Sequence, residues 1–113
     1  ARGFIFGAAV AAKLALPFVP VRKPGKLPLL VLAIDYALEY GTDTLQMSSH
    51  FPPQRVLIAD DVLATGGTLR ATCELCELCG HRIVGLTTLI DLEGLNDFSW
   101  QGLRTRSLFR YGD

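Results

Sequence analysis

The sequence predicts an α/β fold built on a mostly parallel sheet flanked by helices. Two features carry that expectation. Helix-like segments alternate with buried, strand-like ones along the chain. One apolar strand also runs straight into a Gly-Gly turn that opens a helix, the usual unit of a parallel sheet. The 113 residues fit one domain, 1–113, and half of them are hydrophobic, so a buried core is within reach.

The elements follow in order. Residues 3–16 are rich in alanine and read as a helix closed by Pro17. Residues 18–22 read as a short strand. Residues 23–32 carry Pro24, Gly25 and Pro28 and read as a loop. Residues 36–40 and 44–48 flank Gly41-Thr42-Asp43, a hairpin signal. After Pro52-Pro53 comes a buried strand over 55–59, then a helix over 68–79 ended by Gly80. Residues 83–90 form a second apolar strand, 92–103 a short helix with loops, and 105–109 a last strand.

Charge narrows the function. Lys plus Arg and Asp plus Glu are 11 each, so there is no basic excess of the kind a nucleic-acid binder shows. The balance is uneven, however. Residues 1–34 contain Arg2, Lys13, Arg22, Lys23 and Lys26 and no acid, so an anion can be held there while the molecule stays neutral. No apolar stretch is long enough to span a membrane, because residues 4–21 are broken by Lys13, Pro17 and Pro20. Three cysteines confined to 73–79 make a poor disulfide framework and suit a reducing cytoplasm. At 100° per residue they fall on the core face of their helix, so they read as small hydrophobes and not as metal ligands. His50 and His81 have no matching partners and receive no role.

The most informative stretch is Val56-Leu-Ile-Ala-Asp-Asp-Val-Leu-Ala-Thr-Gly-Gly-Thr68. Ligands of open α/β sheets sit at the carboxyl ends of the strands. The turn formed by Ala64, Thr65, Gly66, Gly67 and Thr68 can aim backbone N–H groups at one point, and the helix adds its positive end. Both favour a phosphate. Gly66 and Gly67 permit close approach, and Thr65 and Thr68 add hydroxyls. No lysine follows the glycines, so this is not a Walker loop. Asp60 and Asp61 would repel a phosphate and need another partner: ribose hydroxyls, or Mg2+ held directly or through water. An exposed acid pair at an ordinary turn is the plain alternative. The doubled acid beside a hydroxyl-rich Gly-Gly loop favours a ribose 5-phosphate pocket.

The stretch resembles the phosphoribosyl-diphosphate signature of type I phosphoribosyltransferases. Ala1-Arg-Gly-Phe-Ile-Phe-Gly7, Phe18-Val-Pro-Val-Arg-Lys-Pro-Gly-Lys-Leu-Pro28 and Leu38-Glu-Tyr-Gly41 resemble the family's adenine branch. The resemblance implies the type I phosphoribosyltransferase fold with a hairpin lid. It also implies purine salvage in the cytoplasm by a homodimer, with adenine and phosphoribosyl diphosphate giving AMP and pyrophosphate. Arg2 falls where the family has its pyrophosphate loop, and a cis peptide between Ala1 and Arg2 is implied. Arg22, Lys23 and Lys26 match basic residues directed at the same group, where developing charge needs cations and Mg2+. A solvated basic loop is the alternative for them.

Residues 23–48 match the mobile lid, which excludes water from the reacting centre. Glu39 matches a glutamate that handles a proton of adenine or orients it, and Tyr40 a tyrosine that shields the site. Val62 matches an apolar residue packing on the purine. The run Leu29-Leu-Val-Leu-Ala-Ile34 departs from the polar lid the family would suggest and reads as an exposed apolar tip. The chain starts at Ala1, and the resemblance implies a preceding segment that supplies a strand and a hood over adenine. Without that hood the chain alone is expected to be inactive. The rival readings are a non-catalytic phosphoribosyl-ligand regulator or inactive relic on this fold, and a phosphoribosyltransferase for another base.

Overall fold

The computed structural model of the chain describes residues 3–25, 31–38, 41–49 and 51–112. Helix α1, Gly3–Leu14, opens it. Strands β1 (Val21–Arg22), β2 (Val31–Leu38) and β3 (Gly41–Ser48) form an antiparallel sheet in the order β1-β3-β2. Strand β4 (Arg55–Leu63), helix α2 (Gly67–Leu78) and strand β5 (Arg82–Leu92) make a parallel βαβ unit. A 3-10 turn (Glu93–Leu95) and the small hairpin of β6 (Ser99–Trp100) and β7 (Leu103–Arg104) lead to β8 (Arg106–Tyr111). Strand β8 pairs parallel with β5, giving a second sheet in the order β4-β5-β8. The expected α/β class with a parallel sheet flanked by helices is therefore present.

The two helices flank β4 from opposite sides. Successive side chains of a strand point to opposite faces. Ile58 joins the core cluster that contains Leu69, Cys73 and Cys76 of α2. Its neighbour Ala59 faces Gly7 of α1: a Cβ on that glycine would lie 3.9 Å from the Ala59 Cβ. Leu45 and Met47 of β3 belong to the same core, so α2 lies between the antiparallel sheet and the parallel one. The core needs Cys73 and Cys76 as apolar filler. Both are fully enclosed, and burial pushes their thiols up to about 12. Gly80, at φ 84°, ends the helix by donating its N–H to Glu77 O at 2.9 Å, while His81 N–H reaches Cys76 O at 2.9 Å.

Several boundaries differ from expectation, each for a physical reason. The strand expected over 18–22 is reduced to Val21–Arg22, because Pro20 has no N–H to give a ladder. Residues 31 and 32, expected in a loop, belong to β2. The hairpin turn does not fall on Gly41-Thr42-Asp43. Those residues lie in β3, with Leu38 paired to Gly41 and Tyr36 to Asp43. The tie between Tyr36 and Asp43 holds that register. The expected exposed apolar run is corrected at Ile34, which packs against the core cluster, while Leu32 is exposed and Leu29 and Leu30 lie outside the described residues.

Strand β4 runs past the acids to Leu63, which is buried and anchors its end. The helix expected within 92–103 is one 3-10 turn, because the Asn96 side chain satisfies the local groups itself. Its Nδ2 donates to Asp91 Oδ1 at 3.0 Å and to Leu92 O at 3.1 Å, and its Oδ1 accepts the Phe98 N–H at 3.1 Å. Gln101 and Gly102, both at positive φ, then make the tight β6–β7 turn.

This packing predicts a sharp contrast on α2. Leu75 is fully buried and Leu78 is 61% exposed. Leu75→Ala should cost about 2–5 kcal/mol in urea unfolding, and Leu78→Ala less than about 1 kcal/mol. Equal costs would show that α2 is not the central layer.

Candidate active site

Strand β4 delivers Asp60 and Asp61 at its carboxyl end. Asp60 Oδ1 accepts the Asp61 N–H, and Asp61 Oδ1 accepts the Val62 N–H, both at 2.8 Å. Asp60 is largely enclosed because the first residue of α1 rests on it. A Cβ on Gly3 would come within 2.5 Å of Asp60 Oδ1, so a larger residue there would displace the carboxylate. Burial, with repulsion from Asp61 added, raises the Asp60 pKa from 3.8 to about 6, against the pull of the Asp61 N–H.

The chain then bends through Ala64, Thr65 and Gly66 into α2. Gly66 is the N-cap, at φ 95°, and no side chain caps the helix. No acid occupies the first turn either, so the positive end of α2 has no negative side chain of its own to offset it. The two glycines do different work. Gly66 needs its left-handed backbone, and a Cβ there would lie 2.9 Å from the ring of buried Phe98. Gly67 has room for a Cβ, which would come 4.0 Å from Ala37 O of β2. So Phe98 supports the turn and β2 passes close to it. The Arg70 guanidinium lies 5.3 Å from the Phe98 ring centroid, closing the stack.

Basic side chains stand at the same cavity. Arg22 stacks on Phe4 at 4.7 Å, and Phe4 meets Phe18 with ring centroids 5.5 Å apart. Lys23 Nζ lies 2.9 Å from Asp43 Oδ2, and the Tyr36 hydroxyl donates to that oxygen at 3.4 Å. The bond to Asp43 raises the Lys23 pKa and lowers that of Asp43.

A cavity of about 780 Å³ joins these parts. Phe4, Arg22, Lys23, Tyr36, Asp60 and Thr68 are among its walls. It thus brings together four of the residues expected from sequence: Arg22, Lys23, Asp60 and Thr68. Asp61, Val62, Ala64, Thr65, Gly66 and Gly67 do not line it, but form the continuous segment between Asp60 and Thr68. Arg2, Lys26, Glu39, Tyr40 and the Ala1–Arg2 peptide lie outside the described residues. Sequence reasoning missed Phe4, Phe98, Tyr36 and Asp43. Of these, only Tyr36 carried a signal, the alternation of Ile34 and Tyr36 along β2.

No cluster of three metal-binding side chains occurs among the described residues. Asp60 and Asp61, each engaged by a backbone N–H, offer two carboxylates and no cage. That donor set suits Mg2+, which commonly takes one or two carboxylates and completes its shell with substrate phosphate and water.

The raised Asp60 pKa has a testable sign. Its protonated form is favoured by folding, so its contribution is intact below about pH 4 and lost as pH climbs through about 6. Asp60→Asn should therefore stabilise the chain at about pH 7 and change little near pH 4, read from urea unfolding at both values. An equal effect at both would mean that its charge carries no cost in the fold.

Comparison with known proteins agrees with this arrangement. Residues 1–96 match the model of the phosphoribosyl transferase domain. The chain is 46% identical over 112 residues to the adenine phosphoribosyltransferase of Hydrogenovibrio crunogenus, covering 99% of this chain and 64% of that protein. It superposes on the crystal structure of adenine phosphoribosyltransferase from Thermoanaerobacter pseudethanolicus with a TM-score of 0.91 at 44% identity, covering 98% of this chain and 66% of the other. The Saccharomyces cerevisiae enzyme, complexed with an imino-altritol bisphosphate and adenine, gives a TM-score of 0.81 at 34% identity, covering 96% and 62%. The chain thus spans less than two thirds of the length of each of these relatives. A parallel sheet with paired acids at a strand end, a Gly-Gly turn opening a helix and a family match over 96 residues place this chain in the phosphoribosyl transferase domain family.

Proposed function

We propose that the protein makes AMP in purine salvage, transferring the 5-phosphoribosyl group of phosphoribosyl diphosphate to adenine with release of pyrophosphate. One observation carries the reading. A helix start with no capping side chain follows paired carboxylates near the end of β4, and the cleft that Asp60 and Thr68 line is also lined by Arg22 and Lys23. A sugar phosphate that also bears a second anion matches that pattern of charge. Relatives named adenine phosphoribosyltransferase support the choice of base, as does the adenine in the Saccharomyces structure.

In this reading the N–H groups of the 64–68 turn and of the first turn of α2 hold the 5-phosphate, assisted by the hydroxyls of Thr65 and Thr68. Asp60 and Asp61 accept hydrogen bonds from the ribose diol. The ligand hydroxyls then compensate a carboxylate that is costly to bury. Arg22 and Lys23, with Arg2 and Lys26, stabilise charge on the departing pyrophosphate as the bond from the anomeric carbon to oxygen breaks. Stacking on Phe4 orients Arg22 before the ligand arrives. Adenine attacks the same carbon through a ring nitrogen. Glu39 orients it and takes up the proton, Val62 packs on its ring, and Tyr40 helps exclude water. Asp60 and Asp61, with substrate and water, would hold Mg2+, which would supply further charge neutralisation on pyrophosphate.

Residues 1–113 belong to one phosphoribosyltransferase domain. Strand β8 lies beyond the matched residues, yet it extends the sheet of β4 and β5. A cytoplasmic setting suits three free cysteines. A homodimer suits the exposed apolar side chains of α1, Ile5 and Leu14, and of the segment after it, Leu16 and Phe18. No described helix is long and apolar enough to cross a membrane.

The test is AMP formation by the whole protein from labelled adenine and phosphoribosyl diphosphate. Adenine should be converted and hypoxanthine and guanine should not. Replacing both Asp60 and Asp61 by Asn should raise the KM for the sugar donor about tenfold or more. Turnover of another base in place of adenine, or kinetics indifferent to the double replacement, would sink the reading.

A further inference from the structure

Lys23 already has a partner. Asp43 Oδ2 takes the Lys23 ammonium at 2.9 Å and the Tyr36 hydroxyl at 3.4 Å, while Oδ1 accepts the Thr44 N–H at 2.8 Å. Tyr36 on β2 and Asp43 on β3 are cross-strand partners, and Lys23 directly follows β1. One carboxylate therefore ties together all three strands of the antiparallel sheet. The tie stands at the cleft, because Lys23 and Tyr36 line it together with Asp60 and Thr68.

The two partners differ in how firmly they are held. The Lys23 side chain is 68% exposed and that of Asp43 only 24%. Asp43 is fixed by its own backbone neighbour and by Tyr36, so it keeps two hydrogen bonds if the lysine leaves. Lys23 has no such second hold among the described residues, and an exposed ion pair is weak. A multiply charged phosphate is a stronger partner for an ammonium than one solvated carboxylate.

We propose that Asp43 is the displaceable counter-ion of Lys23. It holds the ammonium at the cleft in the ligand-free chain and yields it to the entering pyrophosphate group. Anion binding and the tie between β1 and the β2–β3 hairpin then exclude one another, so occupancy of the cleft loosens the hairpin from the basic segment. The idea rests on the reading of Lys23 as a pyrophosphate cation. Asp43 is a positioning residue, acting through Lys23 and touching no substrate.

The experiment is calorimetric titration of the whole protein with inorganic pyrophosphate and Mg2+ at about 0.15 M salt, where direct repulsion is largely screened. Four forms are compared: wild type, Asp43→Asn, Lys23→Ala and the double variant. Asp43→Asn should tighten pyrophosphate about threefold, the scale of an exposed ion pair, and lower the KM for phosphoribosyl diphosphate with it. In the Lys23→Ala background the same replacement should change affinity less than about 1.5-fold. Unchanged or weaker binding by Asp43→Asn, or an equal gain with and without Lys23, would overturn the proposal alone. Wild-type affinity retained in Lys23→Ala would instead remove the underlying role of Lys23, and the proposal with it.

Discussion

The positive end of α2 governs the rest of the site. A helix that starts on glycine, with no capping side chain and no acid in its first turn, leaves its dipole to be met from outside the segment. Keeping that end open requires a particular backbone. Gly66 must adopt φ 95°, and Phe98 must fill the space beneath it. Strand β4 has to end firmly just before, which buried Leu63 ensures. The helix itself is locked by Leu75, Cys73 and Cys76 between two sheets, so its first turn is held by the core of the molecule. The proposed phosphate site thus rests on packing that extends well beyond the loop.

Around that end, both signs of charge are held by protein partners. The carboxylate of Asp60 is enclosed by Gly3 and rests on the N–H of Asp61. In the same cleft Arg22 lies over Phe4 and Lys23 is bound to Asp43. In the proposed reaction, a ligand with a diol and two anionic groups would exchange these internal contacts for its own, leaving little buried charge uncompensated.

The β4–turn–α2 segment was legible in sequence because all its signals are local. An apolar run, two acids, two glycines and a periodic helix lie within about twenty-five consecutive residues and need no distant partner to be read. The core-facing placement of the cysteines followed from helical angle alone: Cys73 and Cys76 are buried and Cys79 is partly buried. The hairpin register was not legible. Gly41-Thr42-Asp43 is a good turn signal, and only the tertiary ties of Asp43 to Tyr36 and Lys23 place it in a strand. Asn96 replaced an expected helix by side-chain bonds that composition does not reveal. The separate duties of Gly66 and Gly67 depend on Phe98, some thirty residues away, and on the backbone of β2. Arg2, Lys26, Glu39 and Tyr40 rest on family resemblance, since they fall outside the described residues.

The central claim is that the 64–68 turn and the start of α2 form a phosphate site. Backbone amide NMR during titration with ribose 5-phosphate tests it most directly. The account predicts that the largest and saturable shifts fall on the N–H groups of Thr65, Gly66, Gly67, Thr68 and Leu69, and that inorganic phosphate reproduces them more weakly. Saturable binding whose shifts bypass these five residues and gather on the exposed lysines and arginines would contradict it.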